Sequence, residues 1–187
     1  MGFIFYPKSP RYAEPLDVEF MNSFPRNVLK IGVFVNETLD NILEIVKKYT
    51  LNGVQLHGSE SEDLCYTFRS AGLVVLKAFS IAETTDFEAT EEYEGSCSFY
   101  VFDTKTPQFG GSGKKFDWSI LSSYVGKTPF LLSGGISEED AEAIKAINHP
   151  LFRGVDINSR FETEPGRKDA KKLVGFLQKL PINMPIN

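Results

Sequence analysis

Short, nearly continuous apolar runs separated by amphipathic stretches most limit the fold of this 187-residue sequence. Because these runs are apolar throughout rather than alternating with polar residues, they are typical of strands covered on both faces, as in parallel sheets. We predict seven such strands: Gly2–Tyr6, Leu29–Val35, Gly53–His57, Val74–Phe79, Phe99–Asp103, Phe130–Ser133 and Gly154–Ile157.

The stretches between the strands carry helical patterns. Residues 39–46 place their apolar side chains on one helical face, and Ser137, followed by three acidic residues, is typical of a helix N-cap. The alternation predicts an α/β fold built from βαβ units, as one domain over residues 1–187. Further helices are predicted over Ser61–Ala71, Asp117–Tyr124, Glu138–Ile147 and Lys168–Leu180.

Two architectures fit seven such units: an open doubly wound sheet, or an eight-stranded barrel that lacks one unit. No Gly-x-Gly-x-x-Gly motif follows the first strand, which weakens a dinucleotide-binding interpretation. The chain also starts in a strand with no helix before it, which suggests that a unit is missing at the front.

The composition limits which partners the protein can bind. A net charge of −5 argues against a nucleic-acid partner, and no apolar run approaches the roughly 18 residues that a membrane span needs. Cys65 and Cys97 cannot by themselves form a disulfide framework or a metal cluster. We therefore expect a soluble, cytoplasmic protein without a nucleic-acid or membrane partner.

Polar and glycine residues gather just after the predicted strands, on the face where active sites form in β/α barrels. Each has a plainer explanation: Asp103 or Asp156 as a loop cap, Gly134-Gly135 as a tight turn, His57 as a packing residue, and Arg11 as a solvated charge. Their convergence on one predicted face favours a functional role. The candidates are Lys8 and Arg11, Gln55 and His57, Asp103 with the glycine-rich loop to Lys114, Ser133-Gly134-Gly135, and Asp156 with Asn158 and Ser159.

Six segments together resemble the phosphoribosylanthranilate isomerases, a tryptophan-pathway family with a β/α-barrel fold. The resemblance runs from residue 2 to the C-terminal helix, and the aspartate-to-tryptophan segment is highly specific. The segments are 2–12, 32–36, 54–58, 103–107, 110–118 and 132–135.

The resemblance implies an Amadori rearrangement of N-(5-phosphoribosyl)anthranilate to 1-(2-carboxyphenylamino)-1-deoxyribulose 5-phosphate, without a metal or an organic cofactor. It implies that Asp103 is the general acid that protonates the ribose ring oxygen, and that Arg11 binds the anthranilate carboxylate. The remaining implied roles are Gln55 and His57 in the sugar and ring pocket, Asp156 toward the hydroxyls, and Gly134, Gly135, Asn158 and Ser159 at the phosphate.

The sequence also departs from the family. Family members begin with a strand whose cysteine is the general base, whereas this sequence starts at the family's second strand, and neither Cys65 nor Cys97 is a natural substitute. We therefore expect a barrel with a gap beside its first strand, self-association through exposed strand edges, and poor isomerase activity. Arg160 either adds a phosphate contact or caps its loop.

Three functions are compatible with these observations. The first is the tryptophan-pathway isomerase. The second is a catalytically impaired form or a non-catalytic phosphosugar-binding protein. The third is another phosphosugar barrel enzyme, such as an epimerase or a synthase, against which the segment from Asp103 to Trp118 argues.

Overall fold

In the computed structural model of the chain, residues 1–105 and 115–180 are described. They fall into two compact units, one comprising Met1–Ala78 with Gly95–Ser98, the other Phe79–Glu94 with the described part of Phe99–Asn187. The single domain over residues 1–187 stays a prediction. Within the described residues, no helix combines the length and the apolar character needed to cross a membrane.

Four parallel strands and three helices account for most of the first unit. The strands pair in chain order, with Ile4 beside Val33, Val33 beside Gln55 and Gln55 beside Leu76. Stacked rings of Phe5 and Phe34 belong to its buried core. The elements are β1 (Gly2–Ile4), α1 (Val18–Asn22), β2 (Ile31–Phe34), α2 (Leu39–Lys48), β3 (Gly53–Leu56), α3 (Glu62–Ser70) and β4 (Val74–Ile81), whose residues up to Ala78 belong to this unit.

The second unit continues the pattern with shorter helical segments. An aromatic cluster fills its core, in which the ring centroids of Phe102 and Phe130 lie 4.7 Å apart and those of Phe87 and Phe102 lie 5.1 Å apart. Its strands and α-helices are β5 (Phe99–Thr104), β6 (Phe130–Leu132), α4 (Ala141–Lys145), β7 (Phe152–Val155), β8 (Glu162–Glu164), β9 (Arg167–Lys168) and α5 (Ala170–Leu177). Its 3₁₀ segments are Thr84–Tyr93, Trp118–Ser123, Glu138–Asp140 and Ser159–Phe161.

The seven strands β1 to β7 follow one another in chain order, so the predicted α/β fold with about seven parallel strands is confirmed. The last strand begins two residues earlier than predicted. Opposite β6, the register shifts so that Phe130 pairs with Phe152 and Leu131 with Gly154. The side chain of Arg153 at this bulge turns back to donate to the Pro150 carbonyl at 2.7 Å. Because this charged residue interrupts the apolar run, the sequence pattern did not show that the strand begins at Phe152.

Short polar side chains begin the helical segments, and the predicted cap at Ser137 is one of them. The Thr38 and Ser61 hydroxyls accept hydrogen bonds from the Asn41 and Leu64 amides and begin α2 and α3. Ser137 also begins its helical segment, but the first turn is 3₁₀ and α4 begins only at Ala141. The predicted helix over Asp117–Tyr124 is likewise a 3₁₀ segment.

Removing the Asp140 carboxylate tests the capping box that it forms with Ser137. Its Oδ2 accepts from the Ser137 amide at 2.6 Å, and its Oδ1 pairs with Lys115 Nζ at 2.6 Å. Burial opposes ionisation, but the hydrogen bonds from Lys115 and Ser137 outweigh it and lower the pKa of Asp140. We expect Asp140→Ala to lower the free energy of unfolding by about 1 kcal/mol at neutral pH.

The pH dependence of this loss follows from the lowered pKa. The stabilisation is present above the unfolded-state pKa of about 4 and is lost as the pH falls through the folded-state pKa. Urea unfolding of the native protein and of Asp140→Ala should therefore converge at low pH. The control, Glu139→Ala, removes an exposed carboxylate from the same turn and should change stability by less than about 0.5 kcal/mol. An equal loss in both variants would contradict the assigned cap.

Candidate active site

Three polar residues lie side by side at the carboxyl edge of the second unit. The strand register sets Phe102 beside Leu132, and Leu132 beside Val155. The next backbone amides continue this pattern, with Ser133 N donating to the Phe102 carbonyl and Asp156 N to the Leu132 carbonyl, each at 2.8 Å. Asp103 at the carboxyl end of β5, Ser133 directly after β6 and Asp156 directly after β7 are therefore neighbours at this edge.

The half-buried Asp103 carboxylate is packed closely against the turn after β6. Its Oδ1 accepts a hydrogen bond from the Thr104 amide at 2.8 Å. Gly134 has a φ of +91°, and a Cβ added there would lie 2.8 Å from Asp103 Oδ1 and 2.3 Å from Thr104 Oγ1. Within the described part of the chain, the buried Thr104 hydroxyl has no hydrogen-bond partner. Thr104 belongs to the candidate loop that begins at Asp103, but the sequence predicted no role for it, because a threonine at the end of a strand carries no signal of its own.

The predicted phosphate residues lie in two turns of this unit. Gly135 has a φ of +65° and follows Gly134 directly. Ser159, half-buried, begins the 3₁₀ segment after β7, whereas Asn158 before it is exposed and its Oδ1 accepts from Lys168 Nζ. Lys168 was predicted to begin the last helix; instead it ends the β8–β9 hairpin, and α5 starts at Ala170. Arg160 is exposed.

Gln55 and His57 meet at the carboxyl edge of the first unit. Gln55 is buried within β3, and its Nε2 lies 3.3 Å from Nδ1 of His57, which is half-buried. The His57 backbone amide donates to the Phe34 carbonyl at 2.9 Å, so the histidine continues the line of β3. An amide group that donates to Nδ1 favours the imidazole tautomer with its proton on Nε2.

Arg11 lies in a short, hydrogen-bonded loop after β1. The Ser9 amide donates to the Tyr6 carbonyl at 2.8 Å, and the Ala13 amide returns to the Ile4 carbonyl at 2.9 Å. These bonds bring the loop back beside the end of β1, so the half-buried Arg11 stays near the carboxyl edge.

The two cysteines lie away from the strand ends that carry these polar groups. Cys65 is buried in α3, and Cys97 is buried just before β5. A hydrogen bond with Cys65, together with burial, raises the pKa of the Cys97 thiol. Neither cysteine therefore lies among the polar residues at the carboxyl edge.

The glycine-rich loop predicted to close over a ligand, residues 106–114, lies outside the described residues. Within residues 1–105 and 115–180, no three His, Cys, Asp or Glu side chains are grouped as a metal site requires.

A parallel sheet in chain order, with its chemistry-bearing side chains at the carboxyl ends of the strands, defines the chain as a protein of the β/α-barrel class. Comparison with known proteins narrows this class. The sequence profile of N-(5'-phosphoribosyl)anthranilate (PRA) isomerase matches residues 1–179. The chain belongs to this family.

Individual relatives agree with the profile. The chain is 50% identical over 182 residues to the N-(5'-phosphoribosyl)anthranilate isomerase of Parabacteroides distasonis, covering 96% of this chain and 82% of the relative. The crystal structure of the Thermotoga maritima enzyme superposes with a TM-score of 0.82 at 36% identity, covering 95% of this chain and 85% of that one. A phosphoribosylanthranilate isomerase crystallised with reduced 1-(o-carboxyphenylamino)-1-deoxyribulose 5-phosphate superposes with a TM-score of 0.79 at 32% identity, covering 95% of this chain and 84% of that one. The predicted barrel-type fold and family are thereby confirmed.

Proposed function

We propose that this chain acts in tryptophan biosynthesis as the isomerase that converts N-(5-phosphoribosyl)anthranilate to 1-(2-carboxyphenylamino)-1-deoxyribulose 5-phosphate. The observation that carries the proposal is the position of Asp103, at the carboxyl end of β5 and beside the turn at Gly134, in a chain of this family. That one relative was crystallised with the reduced product supports the same substrate class.

Asp103 supplies the acid of the first step. A proton delivered to the ribose ring oxygen breaks the C1–O bond and opens the ring to a Schiff base. Its Oδ1 already accepts the Thr104 amide, which fixes the carboxyl group at the end of β5. The buried Thr104 hydroxyl beside it is a ready partner for a polar group of the substrate. In the second step a base takes the C2 proton, and the positions of Cys65 and Cys97 assign that step to neither.

The other polar groups bind rather than react. Arg11 pairs its planar guanidinium with the anthranilate carboxylate, and Gln55 and His57 line the pocket for the sugar and the aromatic ring. Asp156 accepts hydrogen bonds from sugar hydroxyls. Gly134, Gly135, Asn158 and Ser159 hold the phosphate, since backbone N–H groups after the last strands of a barrel suit an anion.

Direct assay tests the proposal. The purified protein is incubated with N-(5-phosphoribosyl)anthranilate, product formation is followed by chromatography, and binding of the reduced product is titrated by calorimetry. Turnover above the uncatalysed reaction supports the isomerase. Tight binding without turnover favours the phosphosugar-binding alternative, and the absence of both contradicts the proposal.

A charge placed at the phosphate site should weaken binding. We expect Ser159→Glu to lower the affinity for the reduced product by about 10-fold or more, since two anionic groups at contact repel. The control, Ser123→Glu, adds the same charge to an exposed serine that precedes β6 and so lies toward the opposite edge. Equal affinity of the two variants for the reduced product would contradict the proposal that Ser159 contacts the phosphate.

The proposal also includes two expectations from the sequence. The enzyme works in the cytoplasm, and exposed strand edges favour self-association, which sedimentation over a range of protein concentrations would measure.

A further inference from the structure

A buried ion pair lies directly behind the His57 turn. Lys77 Nζ of β4 is 3.3 Å from Glu60 Oε2, and the two side chains are only 3% and 2% exposed. Removing two charges from water is costly, and a hydrophobic pair of similar size is often as stable. Such a pair therefore calls for an explanation other than stability alone.

Both members of the ion pair form hydrogen bonds with the backbone of Gly58, the residue after His57. The Lys77 ammonium donates to the Gly58 carbonyl at 2.7 Å and to the Ala78 carbonyl at 3.2 Å. The Glu60 carboxylate accepts from the Gly58 amide at 2.9 Å and from the Asn36 amide at 2.8 Å. Gly58 is thus held at its carbonyl by the lysine and at its amide by the glutamate.

Asn36 adds a second constraint from the loop after β2. It has a φ of +52°, and its Oδ1 accepts from the Ser59 amide at 2.7 Å. A Cβ on Gly58 would lie 2.4 Å from that oxygen and 2.8 Å from the Asn36 nitrogen, so only glycine fits there. The turn after His57 is therefore held by the ion pair at Gly58 and by Asn36 at Ser59.

We propose that Lys77 and Glu60 are positioning residues for Gln55 and His57. Gln55 and His57 are bonded to each other at 3.3 Å, and the residue after His57 is the one that the ion pair clamps. The role assigned to the clamp rests on the proposed function, in which this pair of side chains lines the sugar and ring pocket. Preorganised side chains bind without first losing conformational freedom.

The test compares Lys77→Met with Lys30→Met. Lys30 is a matched control in the same unit: it is also buried, and its Nζ donates to the Met21 carbonyl at 3.0 Å and to Thr50 Oγ1 at 2.6 Å, but it lies before β2, toward the opposite edge. Because Lys77→Met leaves the Glu60 carboxylate buried without its cation, the double variant Glu60→Gln/Lys77→Met is prepared as well. It removes both charges and guards against a variant that does not fold.

Imidazole ¹⁵N NMR is the readout that a merely structural role would not move. The chain has two histidines, His57 and His149. His149 is an internal reference in the second unit, where its Nε2 contacts the Tyr124 carbonyl at 3.0 Å. We expect both Lys77 variants to shift the His57 signals and leave those of His149 in place, and Lys30→Met to leave both in place. Affinity for the reduced product should fall about 10- to 100-fold in the Lys77 variants only.

Each outcome decides one question. Unchanged His57 signals in a folded Lys77 variant, or equal shifts of both histidines, overturn the positioning role. An unmodified protein that fails to bind the reduced product contradicts the proposed function, and the His57 signals then still decide whether the ion pair positions that side chain.

Discussion

Replacing Asp103 with asparagine is expected to lower turnover of N-(5-phosphoribosyl)anthranilate by about 10²- to 10⁴-fold relative to the unmodified protein. Asparagine keeps the shape of the side chain, and its Oδ1 still accepts the Thr104 amide that holds Asp103 Oδ1 at 2.8 Å. The amide has no acidic proton to give to the ribose ring oxygen, so ring opening loses its acid. Affinity for the reduced product should change by less than about 10-fold, because that ligand requires no proton transfer.

Asp117→Asn is the matched control for this experiment. Asp117 also accepts a backbone amide, that of Ser119 at 3.0 Å, but it is exposed and starts the 3₁₀ segment that precedes β6. Its variant should keep turnover within about 2-fold of the unmodified protein. A similarly small effect for Asp103→Asn would remove Asp103 from the acid role. A parallel collapse of turnover and of product affinity would instead indicate a damaged pocket.

The strands were predictable because burial on both faces leaves a local signature. Each predicted strand overlaps an observed one, since a run such as Phe99–Asp103 needs no knowledge of its neighbours to be recognised. Elements without such a signature were missed. The helix α1 has only five residues, and the β8–β9 hairpin is polar, so neither shows a clear apolar period.

The ends of helices were predicted less well than their existence. Pattern alone does not separate an α-helix from a 3₁₀ helix, because both start from the same capping chemistry over three or four residues. Glu138–Asp140 illustrates this: the capping box of Ser137 and Asp140 is present, but the turn that it closes is 3₁₀.

The placement of the candidate site followed from topology. Residues after parallel strands gather at one edge, so Asp103 and Asp156 could be placed at a common edge before their contacts were known. The supporting residues could not be predicted in this way. Lys77 and Glu60 are 17 residues apart in the sequence. The role of a lysine inside an apolar strand cannot be predicted until the fold shows which carboxylate lies beside it. That the Thr104 hydroxyl is buried, and has no partner among residues 1–105 and 115–180, is visible only once the chain is packed.

Gly134 packs against both Thr104 and the proposed acid Asp103, and its replacement is expected to have the second large effect on stability and turnover. Alanine at Gly134 meets two separate penalties. A φ of +91° is strained for any residue with a Cβ, which costs about 1–2 kcal/mol. The added Cβ would also lie 2.7 Å from the Thr104 nitrogen and 2.8 Å from Asp103 Oδ1, and overpacking of this kind costs about a further 1–3 kcal/mol.

Gly166→Ala separates the two penalties. Gly166 has a φ of +83°, almost that of Gly134, but its added Cβ would meet nothing within 4 Å. We therefore expect urea unfolding to show a loss of about 1–2 kcal/mol for Gly166→Ala and a clearly larger loss for Gly134→Ala. Equal losses would show that backbone strain alone explains the glycine.

Gly134→Ala and Gly166→Ala should differ more in turnover than in stability. Of the three contacts that the added Cβ makes, the one with Asp103 Oδ1 is relieved when that carboxylate rotates, whereas the one with the Thr104 nitrogen needs a shift of the β5 backbone, which is paired with β6. Folded Gly134→Ala should then lose turnover by a factor approaching that of Asp103→Asn, whereas folded Gly166→Ala keeps it. Adding Thr104→Ser to Gly134→Ala should not restore turnover, since the hydroxyl and the backbone nitrogen of residue 104 both remain. Near-normal turnover in folded Gly134→Ala would show that the carboxylate does not depend on this close approach, and Gly134 would keep only its proposed contact with the phosphate.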